Sequence, residues 1–241
     1  MTDTRATLTS LFAAERALRD AEEAFFASAE PEALSQSIGD ATKEALALPS
    51  GDERSIRLYR LATLASELPG PEPIEALLSI LDEDDLSARA EAGESLLELA
   101  YDRFKEVASA IEARLERKHD GPSMEELPFV LTEVFDPDPV PLVARFLQHG
   151  RADVVAAAIE ALATYGDPTA VSKLRPLQKD ARTVVVADLE AEATIGELAT
   201  EAIAALSPEP PPHRGGRPPQ GGGGPGPGRG GGPQGRKPRP S

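Results

Sequence analysis

The amino-acid sequence predicts an all-α protein, a helical solenoid followed by a disordered basic tail, on three observations. Apolar residues recur at helical spacing over most of residues 1–206, and short acidic or proline-bearing turns separate these stretches into pairs. The pairs also resemble one another. The likeness is plainest in Pro139–Gly196, where the expected second helices Val154–Tyr165 and Val184–Ile195 align at an offset of 30. Val155 falls on Val185, Ile159 on Leu189, Glu160 on Glu190 and Gly166 on Gly196. A unit of this kind buries its apolar face only against its neighbours, which is the sequence signature of a repeat array.

Composition sets the boundaries. Residues 207–241 hold 12 of the 20 glycines and 11 of the 23 prolines, with no aliphatic or aromatic side chain. Six of the 25 Lys and Arg lie there against one acid, Glu209, so the tail carries about +5 and residues 1–206 about −21. Such a tail has too little apolar surface to offset its ordering entropy, and disorder is the expectation. The absence of cysteine excludes disulfides, thiol catalysis and thiolate metal sites. Residues 1–20 are amphipathic and mixed in charge and lack a signal-like apolar run, and no stretch suits a membrane span, so a cytoplasmic location is expected.

Along the chain, Leu8–Ala27 carries Leu8, Leu11, Phe12, Leu18, Phe25 and Phe26 near helical spacing. A second helix starts at Pro31, where the missing N–H costs nothing, and runs to about Leu48. A third spans about Glu53–Leu68, and residues 1–68 together read as an N-terminal helical cap. Beyond the break at Pro69–Pro73, residues 73–206 read as about four repeats and a short capping helix. Ile74–Leu81 and Leu86–Ala100 form the first pair, with Asp82–Asp85 as the turn. Arg103–Lys118 and Met124–Phe135 form an irregular second pair, in which Pro128 should break the ladder unless it opens the helix. Asp136–Pro139 and Asp167-Pro168 open the third and fourth, each acid placed to cap and each proline to take the first helical position. Gly150 and Gly166 fall where helices should stop, Gly196 closes the fourth pair, and Glu197–Leu206 covers the open end of the core.

The pattern Asp167-Pro-Thr-Ala-Val-Ser-Lys-Leu174, with the Ala-rich Val155–Gly166 ending in Gly, resembles bacterial HEAT-like repeats of the type first associated with phycobilisome lyases. The resemblance covers about residues 73–206 and is strongest over 139–196. Val154-Val155 and Val184-Val185 replace the Val-Arg pair that usually opens a second helix, and Ala88-Arg89 matches it in part. The resemblance implies a right-handed α-α superhelix whose second helices line a concave face. It implies scaffolds and adaptors more than enzymes, since function resides in grafted sites rather than in a fold.

No catalytic set is visible. His119, His149 and His213 stand alone, without the i, i+3 or i+4 partner that one-face metal binding requires. His149 suits a helix C-terminus. Asp82–Asp85 lacks the alternation, glycine and closing glutamate of a calcium loop, and Asp136 and Asp138 read as caps and turn residues. There is no Gly-x-Ser-x-Gly and no phosphate-binding Gly-Lys-Ser/Thr loop. A non-enzymatic protein with no cofactor and no metal is the expectation.

Two features point to binding. Glu91, Glu94 and Glu98 project together at i, i+3 and i+7, Glu160 and Glu190 repeat the place of Glu94, and Asp153, Asp188 and Glu192 flank them. A face of one sign concentrates and steers a partner of the other, so the partner is expected to be a protein with a basic segment. The second feature is the tail, whose Arg214, Arg217, Arg229, Arg236, Lys237 and Arg239 offer weak, salt-sensitive attraction to polyanions or polyproline-type ligands. The expected function is a protein–protein scaffold or adaptor. The alternatives are a nucleic-acid-associated protein acting through the tail, since the acidic body repels phosphates, and a bilin lyase by resemblance alone. Lys173, Arg175, Lys179 and Arg182 form the only local basic cluster of the last unit.

Overall fold

The computed structural model describes residues 3–186 and 191–207. The tail reading, apart from Ser207, lies outside them. Ten helices and one hairpin make up the described chain: α1 (Thr4–Phe26), α2 (Pro31–Leu46), α3 (Asp52–Ser66), α4 (Pro71–Ile80), α5 (Leu86–Glu116), α6 (Ser123–Thr132), α7 (Val140–Phe146), α8 (Ala152–Tyr165), α9 (Val171–Leu174), β1 (Thr183–Val186), β2 (Ala191–Thr194) and α10 (Ile195–Leu206).

The helices stack as pairs. Helix α5 kinks at Arg103 (φ −134°, ψ 41°), and its two arms belong to different pairs. Arg103 bridges the bend by donating to the carbonyls of Leu68 and Gly70, both at 2.8 Å. One layer then runs α2, α4, the 104–116 arm of α5, α7 and α9. The other runs α3, the 86–102 arm, α6, α8 and α10. Between them lies one continuous core that includes Ile38, Leu58, Leu77, Leu96, Ile111, Met124, Phe146, Val155 and Leu174. Alanines at Ala62, Ala88, Ala92, Ala158 and Ala199 let neighbouring backbones approach, which explains why so few aromatics suffice. The long helix α1 has no buried residue; it touches the rest through Phe25, Phe26 and the Glu22–Arg60 pair at 2.6 Å.

Several helix-end devices hold the pairs. Asp85 accepts from the Ala88 N–H at 2.8 Å and Asp167 from the Thr169 N–H at 2.7 Å. Gly166 ends α8 in the left-handed region at φ 82°, where a β-carbon would be strained. Pro128 departs from expectation: it lies inside α6, fully packed, with Met124, Leu127 and Leu131 buried on the same helix. Packing of that face outweighs the one ladder bond that the proline cannot make.

The larger departure is in the last unit. The expected second helix Val184–Ile195 is not found among its described residues. Thr183–Val186 and Ala191–Thr194 pair as an antiparallel hairpin, with Val184 opposite Ala193 and Val185 opposite Glu192. Four consecutive β-branched residues from Thr183 favour the extended strand. The second helix of this unit is α10 instead. Its N-cap Thr194 and Glu197 form a reciprocal capping box, with Thr194 Oγ1 accepting from the Glu197 N–H at 3.1 Å and Glu197 accepting from the Thr194 N–H at 2.8 Å. Gly196 therefore opens a helix rather than closing one. It sits so close to the preceding segment that a β-carbon would lie 2.8 Å from the Gln178 carbonyl oxygen. The first helix of the unit is also broken: α9 is flanked by 3-10 turns at Pro168–Ala170 and Arg175–Lys179, the second containing Pro176.

Candidate partner-binding face

Side chains between successive units set the register of the face. Arg54 pairs with Glu83, Arg89 with Glu126 and Arg151 with Glu125. Arg151 also donates to the Asp120 carbonyl at 2.8 Å, and Arg182 to the His149 carbonyl at 2.9 Å. The histidines belong to the same lattice. His149 Nδ1 accepts from the Arg151 N–H at 3.2 Å, which leaves the proton on Nε2 to donate to the His119 carbonyl at 2.9 Å. His149 thus ties two loops together instead of serving only a helix end.

Asp82 is the densest node. It accepts from Arg114 Nη1 at 2.7 Å, faces His119 Nε2 at 2.7 Å and accepts from the Ser123 N–H at 3.1 Å. Burial opposes its ionisation, but the bonds from Ser123 and Arg114 and the Arg114 charge outweigh that and hold the carboxyl below its ordinary range. The acidic turn is a structural junction. Among the described residues no group of three or more His, Asp or Glu side chains is placed to hold a metal ion.

The predicted acids separate into two grooves. Glu91, Glu94 and Glu98 line one of 380 Å³ between α1, α3 and α5, joined by Glu22 and Glu67. Glu91 accepts from Thr63 Oγ1 at 2.9 Å, and its carboxylate beside Tyr59 pushes the phenol's pKa up. Glu94 and Glu98 make no ion pair among the described residues and are exposed.

Glu160 lies in another groove, of 670 Å³, between α6, α8, α10 and β1. Its floor is apolar, formed by Phe129, Ile159, Ala163, Val184 and Leu198, and its rim carries Glu125, Asp153, Glu160 and Glu201. Arg151 pairs with Glu125 and, at 3.5 Å, with Asp153; Glu160 and Glu201 have no ion-pair partner among the described residues. Asp188 and Glu190 lie outside the described residues. The place expected for Glu190, one unit after Glu160, is taken by Glu201. Buried Val154, Val155, Ala158 and Ala161 of α8 correspond to buried Ile195, Gly196, Ala199 and Ala202 of α10 at an offset of 41, which sets Glu201 on Glu160. Thr194-x-x-Glu197 was the sequence signal for this register. Of the basic cluster, Arg182 is held by Asp180 at 2.6 Å and by loop carbonyls, while Lys173, Arg175 and Lys179 are exposed.

Stacked helix pairs with arginines bridging successive loops define an α-helical repeat protein. Residues 128–193 match the family model for HEAT repeats, which supports a HEAT-like repeat protein. The match does not extend to the phycobilisome-lyase type. HEAT repeats are commonly protein-interaction scaffolds. Among solved structures, the chain is similar to the crystal structure of an engineered protein at 18% identity, over 78% of this chain and 96% of that one, with a TM-score of 0.32. No curated protein matches. Among the described residues no helix is long and apolar enough to cross a membrane.

Proposed function

We propose that the protein is a non-enzymatic cytoplasmic scaffold or adaptor that holds a basic segment of another protein against the acidic face of its second helices. The observation that carries this reading is the pair of carboxylate-lined grooves along one helix layer, containing Glu91, Glu94 and Glu98 in one and Glu160 with Glu201 in the other. Four of these five carboxylates, all but Glu91, are exposed and make no ion pair among the described residues. Their charge is therefore available to a partner, and exposed carboxylates steer basic ligands more than they stabilise the fold. Asp188 and Glu190 belong to the same proposal.

The test is a titration of the full chain with fluorescent Lys- and Arg-rich peptides, beside acidic peptides of equal length, at low and moderate salt. Basic peptides should bind and weaken as salt rises. The double variants E94K/E98K and E160K/E201K should each weaken binding about tenfold or more, as expected from loss and reversal of two charges. Equal binding of basic and acidic peptides, or affinity indifferent to both variants, overturns the reading.

A further inference from the structure

The hairpin found in place of the expected helix lines the larger groove with Val184 and Val185 of β1, whose outer edge has no strand partner among the described residues. β1 is the strand packed on α8, while β2 leads directly into α10 through the cap Thr194. The hydrogen-bond phase of the hairpin follows from its end. The Ile195 N–H donates to the Arg182 carbonyl at 2.9 Å, so that pair is a bonded one, and alternation makes Val184–Ala193 bonded and Val185–Glu192 non-bonded. The outward Thr194 N–H, taken by Glu197, agrees with this phase. Val185 therefore points its own N–H and C=O away from β2, toward the outer edge. Among the described residues neither group has a backbone partner outside the hairpin, and Val185 is 71% exposed.

Edge strands in soluble proteins are normally guarded by lysine, proline or a bulge. Thr183–Val186 has none of these. Val184 and Val185 also line the groove with its apolar floor of Ile159, Phe129 and Ala163, under a rim where Glu160 and Glu201 have no ion-pair partner among the described residues. A strand added to β1 would satisfy Val185, cover the floor with alternate side chains and place the intervening ones near the carboxylates.

We propose that this groove takes an extended partner segment by strand addition to β1, the segment alternating apolar residues with Lys or Arg. The inference rests on the scaffold reading above and specifies its recognition mode at one of the two grooves. Backbone pairing supplies register at Val185, and charge complementarity with Glu160 and Glu201 supplies selection.

The probe is a fluorescent acetylated hexapeptide of alternating lysine and valine, compared with two versions N-methylated at every lysine or at every valine. Only one alternate set of amides faces β1. Methylating that set should weaken binding about tenfold or more, and methylating the other should leave it within about twofold. On the protein side, V185P removes only the outward N–H, since Val185 is at a non-bonded site, and should weaken the parent peptide comparably; V185T keeps the N–H and should not. The peptide arm keeps the test valid if V185P disturbs the hairpin. Equal affinity of both methylated peptides, or failure of the parent peptide to bind, overturns strand addition. If basic peptides nonetheless bind and E160K/E201K weakens them, the scaffold reading stands without it. If no basic peptide binds, both fall.

Discussion

Arg182 donates from Nη1 to the carbonyl oxygen of His149 at 2.9 Å, repeating what Arg151 does to the carbonyl of Asp120 one unit earlier. Each arginine stands in the turn between the two helices of its unit and reaches back to the same turn of the unit before. The planar fork of Arg182 is oriented by Asp180, whose carboxyl is held below its ordinary range by hydrogen bonds from Arg182. These bonds cap carbonyls that the turn leaves unpaired and set the spacing of the stack. R182A should therefore destabilise the protein by about 1–3 kcal/mol in urea unfolding. R182K should recover little, because a single ammonium cannot span the carbonyls of His149 and Gly150 and the carboxylate of Asp180.

Gly196 tests how closely α10 seats against the segment before the hairpin. A β-carbon there would lie 2.8 Å from the carbonyl oxygen of Gln178 and 3.1 Å from that of Asp180, and both are backbone atoms. The Gly196 N–H also donates to the Asp180 carbonyl at 2.9 Å, so the helix cannot slide away without losing that bond. G196A should cost about 1–3 kcal/mol, as overpacking against backbone does. Gly150 is the control: nothing lies within 4 Å of its β-carbon position and its φ is not in the left-handed region. G150A should be neutral or stabilising by up to about 1 kcal/mol. Paired thermal melts distinguish the two.

The same residues show how far the sequence could be read. Helix positions up to α8 follow from apolar spacing, and the caps Asp85 and Asp167 and the stop Gly166 act as their chemistry predicts. A spacing of 31 residues holds from Asp136 to Asp167 and from Arg151 to Arg182, close enough to the offset of 30 for Val184–Ile195 to look like the next second helix. It fails there because a 12-residue hairpin, Thr183–Thr194, is inserted before the second helix. Val155 over Val185 and Glu160 over Glu190 are coincidences of composition in an Ala-, Val- and Glu-rich chain. The β-branched run and the Thr194–Glu197 box were the local signals that outweighed them. For the candidate site, the trio on α5 was legible because one helix carries it. The grouping of Glu201 with Glu160 was not, because it depends on the insertion.

Asp82 gives a pH dependence whose sign is fixed by its partners. Its folded pKa lies below the ordinary value of about 3.9, so its contribution is complete above that value and fades as pH falls through the folded pKa. Arg114, buried at 5% exposure, then keeps its charge without its nearest counterion. D82N should cost about 2 kcal/mol near neutral pH, because a buried arginine loses its partner. The gap between wild type and D82N should narrow as pH is lowered from about 5 toward 2. Melting temperatures of both proteins across that range measure it, and a gap that widens on acidification would contradict the assignment.

Excision of the hairpin separates its two roles, folding and binding. The Ile195 N–H to Arg182 carbonyl bond of 2.9 Å places the two ends of the insertion side by side, about 5.5 Å apart at their α-carbons as in any bonded antiparallel pair. Replacing Thr183–Thr194 with a single glycine can therefore rejoin the chain with little movement of either end. Val184 is the hairpin's buried contribution to the core, at 7% exposure, and α10 would also lose its capping box. Together these should cost about 2–4 kcal/mol, from one buried valine and one cap. Against the continuous core on which α10 and α8 pack, that loss should leave a cooperatively folded helical protein. Circular dichroism should show helical content retained and the melting temperature lowered. Binding of the alternating lysine–valine peptide should lose its sensitivity to which set of amides is methylated and fall to a weaker, salt-sensitive level, while the groove containing Glu94 and Glu98, on α5 and distant in sequence from the insertion, should keep its response to charge reversal.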